Sequence, residues 1–232
     1  MTESCTSIGE AAGDCLKAVF ELQAAEGRAT TSALAARLRV AEPTVTAMVK
    51  RLARQGLLNH APYRGVELTA AGERVALEVI RHHRLLELYL AEVLGLSWEK
   101  VHAEADRLEH LISDDVEDRL DDALGHPTVD PHGHPIPTKS GEIDPIPHQT
   151  LVDLDPAQAA VVRSVPDRNP ELLQYLARLG LVPGARVVVL EKAPFGGPLT
   201  LAVADGHHAV SRELASTVRV SRSSSPGDPG ES

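Results

Sequence analysis

The chain reads as a mainly α-helical protein with a small β part: an N-terminal winged helix-turn-helix, a helical dimerisation domain and a C-terminal small β-barrel. Three observations predict this. Apolar residues recur at helical spacing from Ile8 to Arg54 and again from Ala70 to Leu124, with a short pair of extended runs between. Basic charge is concentrated, because between Gly27 and Gly65 seven Lys/Arg stand against one acid, Glu42, in a chain whose formal net charge is −10. Beyond Leu151 the pattern changes to short apolar runs separated by Gly-containing turns.

The first helix spans Ile8 to Glu26, with Ile8, Ala12, Leu16, Val19, Phe20 and Leu22 on its apolar side. Thr30, Thr31 or Ser32 caps a second helix ending at Leu38, and Glu42-Pro43 opens a third that stops at Gly56. Two short helices around a tight turn, the second carrying Lys50, Arg51 and Arg54, form a helix-turn-helix with its recognition helix. Leu57–His60 and Val66–Thr69 then make a hairpin wing with Tyr63 and Arg64 at its tip, placed to reach phosphate or minor groove. A long helix runs from Thr69 or Ala70 to Leu94, another from Ser97 to Ile112, and a shorter one from Asp114 to Leu124. Apolar side chains on more than one face of these helices point to burial against a partner, hence to a homodimer.

Between His126 and His148 stand six Pro, and the stretch reads as a connector whose histidines no regular geometry holds together. After it, a strand over Ala159–Val165, a capped helix from Asn169 to Leu179, and strands over Ala185–Ala193, Leu199–Ala204 and Thr217–Val220 build the barrel. The Ser/Pro/Gly-rich end is expected to be disordered. The expected domains are 1–72, 73–148 and 149–221, with 222–232 as a tail.

Composition narrows the function. With 232 residues and 43% hydrophobic content the chain has a core to bury. No apolar run approaches membrane-spanning length and the N-terminus has no signal-peptide pattern, so the expected location is cytoplasmic, with no membrane partner. Two cysteines, Cys5 and Cys15, make no disulfide framework. The acidic balance argues against coating nucleic acid over the whole surface, but it leaves room for a local basic module.

The most chemically loaded stretch is His102 to His110. His102, Asp106, Glu109 and His110 stand at i, i+4, i+7 and i+8, which places four imidazole or carboxylate donors on one helix face. Such a set suits borderline and hard divalent ions. On its own the stretch is more readily a solvated acidic helix than a metal site, since ten Asp/Glu stand against three Lys/Arg between Glu99 and Asp122. His83 and Glu87, one helical turn apart on the preceding helix, shift the balance toward metal.

The winged helix, R-H-H-R-L-L-E at 81–87, V-H-A-E-A-D-R-L-E-H at 101–110, D-P-H-G-H-P-I-P at 130–137 and a small barrel together resemble the three-domain form of the diphtheria toxin repressor family of metal-dependent regulators. The resemblance implies an SH3-like barrel. It also implies a primary metal site at Asp14, Asp106, Glu109 and His110, and an ancillary site at His83, Glu87 and His102. The barrel's contribution to the ancillary site falls near Ser164 and Asp167, of which Asp167 is the plausible ligand. Iron-type members carry Met and Cys where this chain has Asp14 and Asp106, so the resemblance implies Mn(II), with Fe(II) the alternative. Two-domain manganese regulators have a glutamate that falls here on Lys17, which argues against their closely spaced pair of ions.

The expected activity is metal-controlled binding of double-stranded, palindromic operator DNA that governs metal-transport genes. Arg51, Arg54 and Arg64 would sit on phosphates, and Pro43, Thr44, Thr46 and Ala47 nearest the bases. A winged-helix repressor answering to an organic ligand is a weaker alternative. A metallohydrolase is weaker still, since no nucleophile or phosphate loop accompanies the donors and the basic module would go unexplained.

Overall fold

Pro43 at the second position of its helix and a threonine just before the preceding one set up the N-terminal unit. In the computed structural model, which describes residues 8–61, 65–204 and 206–222, α1 (Glu10–Glu26), α2 (Thr31–Leu38) and α3 (Glu42–Arg54) are followed by a hairpin of β1 (Leu58–Ala61) and β2 (Gly65–Leu68). Thr30 caps α2 by accepting from the Ala33 N–H at 3.1 Å. The hairpin pairs Leu58 with Leu68 and Ala61 with Gly65. Ala12, Cys15, Leu16 and Val19 of α1, Leu34 of α2, Val45, Val49 and Leu52 of α3, and Leu58 and Val66 of the wing share one core with Val75 and Ala76 of the next helix. Each large aliphatic buried there contributes about 1.5–3 kcal/mol. The wing-tip residues Tyr63 and Arg64 and the expected tail from 223 onward lie outside the described residues.

That next helix is α4 (Ala70–Glu92), followed by α5 (Trp98–Leu108) and α6 (Asp114–Ala123). The described chain divides into two units, with both α4 and α5 cut. The first comprises Met1–Leu86, Ala105–His126 and Ile136–Ile143, and the second Glu87–Glu104, Pro127–Pro135 and Asp144–Ser232. In the first unit α6 is held by a buried polar network. Arg81 pairs with Glu117 and Asp121 and donates to the Pro137 carbonyl at 2.8 Å, and His82 Nε2 lies 3.2 Å from Glu117 Oε2. Burial would raise the Glu117 carboxyl, but His82 and Arg81 outweigh it and hold it at about 2.

The second unit is built on a five-stranded antiparallel sheet in the order β6-β5-β4-β3-β7, formed by β3 (Ala159–Ser164), β4 (Arg186–Lys192), β5 (Leu199–Val203), β6 (Gly206–Val210) and β7 (Arg219–Arg222). Register breaks between Val162 and Ser164 and between Val189 and Glu191 curl it into the SH3-like form. Two helices accompany the sheet: α7 (Pro170–Arg178), capped by Asn169, and α8 (Arg212–Thr217), capped by Ser211. Ala160, Val162, Val187, Val189, Leu199 and Leu201 bury inward against Leu173 and Leu176. Strand β6 and helix α8 are absent from the sequence expectation. G-H-H-A-V carries little β-branched character, and a six-residue helix is too short to show a period.

The Pro-rich stretch departs from the sequence expectation. It is not an inert connector. Asp130 to His134 is a closed turn, in which Asp130 Oδ1 accepts from the His132 and His134 N–H groups at 2.8 and 2.9 Å, and the Asp130 N–H donates to the His134 carbonyl at 3.0 Å. Gly133 has φ 86, and a Cβ there would lie 1.9 Å from the Arg163 carbonyl oxygen, so the turn lies directly on β3 and admits only glycine. His132 is fully buried.

Candidate metal centres and recognition helix

In the first unit, α1 brings Asp14 and Lys17, α4 brings His83, and α5 with the turn that ends it brings Asp106, Glu109 and His110. Glu109 is 1% exposed and its two oxygens face different partners. Oε2 accepts from Lys17 Nζ at 2.7 Å and contacts His83 Nδ1, while Oε1 lies 3.4 Å from His110 Nε2. His110 Nε2 is also 2.7 Å from Asp14 Oδ1. Asp14, Glu109 and His110 each offer a ligand atom within 4.8 Å of one another. Asp14 and Asp106 are the exposed members, at 41% and 46%, so the group opens to solvent on their side. The Glu109 backbone is anchored as well, its carbonyl 3.1 Å from His82 Nδ1.

Gly13 explains how the His110 ring lies so close to α1. A Cβ at position 13 would fall 2.9 Å from His110 Cε1. A mid-helix glycine costs about 0.5–1 kcal/mol relative to alanine, and here that cost makes room for a donor. Sequence reading missed this residue, although a glycine next to Asp14 inside an otherwise regular helix was the available signal.

His83, which the resemblance groups with Glu87 and His102, turns its Nδ1 to the first-unit donors: Glu109 Oε2, Asp106 Oδ1 at 3.3 Å and Lys17 Nζ at 3.0 Å. Sharing a helix face with Glu87 fixes the direction of the side chain and not which neighbouring helix meets it.

In the second unit, Glu87 Oε1 contacts His102 Nδ1 at 2.9 Å, and Asp167, in the loop after β3, brings Oδ2 within 3.8 Å of the same nitrogen. The fourth participant is His132. Its Nε2–H donates to the Trp98 carbonyl at 2.8 Å, its ring stacks on Trp98 at 5.6 Å, and its Nδ1 stands 3.6 Å from Glu87 Oε2. Among the described residues that buried Nδ1 has no hydrogen-bond partner. A ring fixed through one nitrogen by a backbone carbonyl, with the other turned toward carboxylates, is the arrangement metal-binding histidines use. Glu87, His132 and Asp167 offer donors within 4.8 Å of one another, as do Asp130, His132 and His134. Burial by itself would lower the His132 pKa, but Glu87 and Asp130 carry it from 6.5 up to about 9. Asp167, despite burial, is driven well below the usual carboxylate range by His134 and His102.

Both donor sets contain only imidazole and carboxylate, which fits a hard or borderline divalent ion. Cys15 does not join them: it packs in the core, and burial with the Asp14 carboxylate pushes its thiol up to about 11.

On α3, Val45, Val49 and Leu52 face the core while Pro43, Thr44, Ala47, Lys50, Arg51 and Arg54 are exposed. The outward stripe is thus a basic one along a helix held rigidly by its apolar side. Thr46 is half-buried, with its hydroxyl donating to the Glu42 carbonyl at 3.0 Å.

A winged helix followed by helices carrying carboxylate and imidazole donors defines a class, that of DNA-binding regulators controlled by a divalent ion. Comparison with known proteins agrees. Residues 7–66 match the iron dependent repressor N-terminal DNA binding domain, 69–138 the iron dependent repressor metal binding and dimerisation domain, and 149–222 the FeoA domain. The chain is 37% identical to the iron-dependent repressor IdeR of Mycobacterium leprae over 89% of its own length and 95% of that protein's. It is 32% identical to the diphtheria toxin repressor of Corynebacterium jeikeium over the same shares. A solved manganese-dependent transcriptional repressor in complex with manganese superposes with a TM-score of 0.85 at 35% identity, covering 91% of this chain and 99% of that one. The chain belongs to the diphtheria toxin repressor family of metal-dependent transcriptional repressors. No helix among the described residues is long and apolar enough to cross a membrane.

Proposed function

We propose that this chain is a Mn(II)-responsive repressor whose homodimer binds a palindromic operator in double-stranded DNA when loaded with metal, and which controls metal-transport genes from the cytoplasm. The observation that carries this reading is the convergence of Asp14 from the DNA-binding unit's first helix with Glu109 and His110 from the end of α5. Asp14, Asp106, Glu109 and His110 hold the primary ion. Glu87, His102 and Asp167, joined by His132, hold a second, and His83 serves the first centre. A bound divalent ion supplies the positive charge that lets three acceptor groups crowd together. The residues themselves link α1, and through the shared core α3, to the helices behind it. The gain in operator affinity can be no larger than the ion's preference for that pose over open ones.

Two carboxylates, Asp14 and Asp106, support manganese over iron, since oxygen donors suit it and no soft donor accompanies them. An Fe(II)-responsive repressor is the second reading, favoured by the 37% identity to an iron-dependent repressor over 89% of the chain. On DNA, Arg51, Arg54 and Arg64 neutralise phosphates, Tyr63 beside Arg64 reaches phosphate or minor groove, and Pro43, Thr44, Thr46 and Ala47 lie nearest the base edges. Few of these make bidentate contacts, so DNA shape and thymine methyl groups carry much of the specificity.

The test is fluorescence anisotropy on duplexes selected from random DNA, with metal-free full-length protein and Mn(II), Fe(II), Co(II) or Zn(II) in turn. Mn(II) is expected to tighten binding most. Equal affinity with and without every ion would sink the metal reading, and a response confined to Fe(II) would transfer it to iron. In the same assay Arg51→Ala should weaken all duplexes alike and lower the salt slope by about one unit, as the loss of one phosphate contact requires.

A further inference from the structure

The first-unit donors form two lobes that share Glu109. One lobe is Asp14, Glu109 Oε1 and His110. The other is His83, Asp106 and Glu109 Oε2, and its contents are on view: the Lys17 ammonium sits 2.7 Å from Glu109 Oε2, 3.0 Å from His83 Nδ1 and 3.3 Å from Asp106 Oδ1. An imidazole and two carboxylates converging on one point are a divalent-ion donor set. Here a covalently tethered cation already occupies that point. The geometry points to Lys17 as a built-in substitute for a second ion, which limits the first centre to one divalent ion, held by Asp14, Glu109 and His110 with the second oxygen of Asp106.

Two observations support this. Lys17 is 6% exposed, and lysine is rarely buried without a reason. The partition of Glu109 is the second. A carboxylate bridging two cations points one oxygen at each, and Glu109 does this with the ammonium on Oε2 and the open lobe on Oε1. Lys17 also draws together α1, α4 and α5 through one atom, so the donors are ordered before any metal arrives, at the expense of a second binding position. A second divalent ion would have to expel a buried ammonium into the space between three helices. Like charges a few ångströms apart repel strongly in such surroundings.

The inference rests on the metal reading proposed above, and the experiment separates the two. Crystals of the full-length protein soaked in Mn(II) are measured at the manganese absorption edge. One anomalous peak among Asp14, Glu109 and His110, with Lys17 Nζ still on Glu109, is the expected result. Two peaks a few ångströms apart with the lysine swung out would overturn the inference and leave the metal reading standing. No peak in the first unit at all would remove both. In solution, Lys17→Glu, which replaces the cation with a donor, should bind one more Mn(II) per chain by equilibrium dialysis. The added ion should be magnetically coupled to the first, so that the isolated six-line EPR signal of the first centre is lost. Lys17→Met, which keeps the volume without supplying charge or donor, should show no coupled pair if it folds, as monitored by circular dichroism and dimer elution. A coupled pair in wild type, or an unchanged ion count in a folded Lys17→Glu protein, counts against the inference.

Discussion

The two donor sets use the same side-chain chemistry and arrive at it by different routes. In the first unit every donor is on a helix or the turn that ends one, and the excess negative charge is neutralised internally by Lys17. In the second, Glu87 and His102 are helical, His132 is on a tight turn closed by Asp130, and Asp167 is in a loop after β3. There the positive partners are imidazoles, and His132 is carried up to about 9. A centre with its own fixed ammonium keeps its donors assembled at any physiological pH. One balanced by histidines releases protons when it takes up an ion, which makes it the more pH-responsive of the two.

The largest expected effect is at Glu109. Glu109→Ala leaves Lys17 and His83 buried without their shared carboxylate, and breaking a buried pair in this way costs about 3–5 kcal/mol. Urea denaturation of the metal-free protein should show that loss. A change under about 1 kcal/mol would mean that the ammonium escapes to water and that the first centre is no better assembled than the second.

Next comes His132→Ala, which removes the Trp98 stack and a second-unit donor. The protein should bind one ion fewer per chain by isothermal titration while Asp14, Glu109 and His110 keep theirs. Retention of both ions would show that His132 is structural only, so that the second centre rests on Glu87, His102 and Asp167.

The third prediction concerns pH. The folded pKa of His132 is raised from 6.5 to about 9. Its contribution to metal-free stability is therefore fully present below pH 6.5 and is lost as pH rises through about 9. Ion affinity at the second centre runs the opposite way, gaining up to about tenfold per pH unit across that window because the ion takes the place of the Nδ1 proton. Titrations at a series of pH values on wild type and His132→Ala would show it, and identical slopes for the two proteins would refute it.

The smallest effect is at Gly13. Gly13→Ala should leave the α1 helix as stable or slightly more so, within about 1 kcal/mol, while displacing the His110 ring by a few tenths of an ångström. Weaker binding at the first centre, with the second untouched, is the expected titration result. Unchanged affinity would mean that the ring moves without cost.

The sequence by itself determined every helix but α8, the basic recognition helix, the wing, and the donors that repeat every three or four residues along α4 and along α5 with the turn that ends it. These are properties of short windows, in which spacing alone decides which face a side chain occupies. Only the tertiary structure decided which faces meet. It set Lys17 against Glu109 across 92 positions and His110 against Asp14 across 96, neither of which any local period encodes. It also turned a Pro-rich stretch into a donor-bearing turn, because the Asp130 side chain and the bare Gly133 Cα let that segment close against β3. Prolines and histidines in sequence report only that the chain is not helical there. Whether such a segment stays loose or buries an imidazole depends on the surface it lands on, and that surface is assembled from residues more than thirty positions away: Trp98, Glu87 and Arg163.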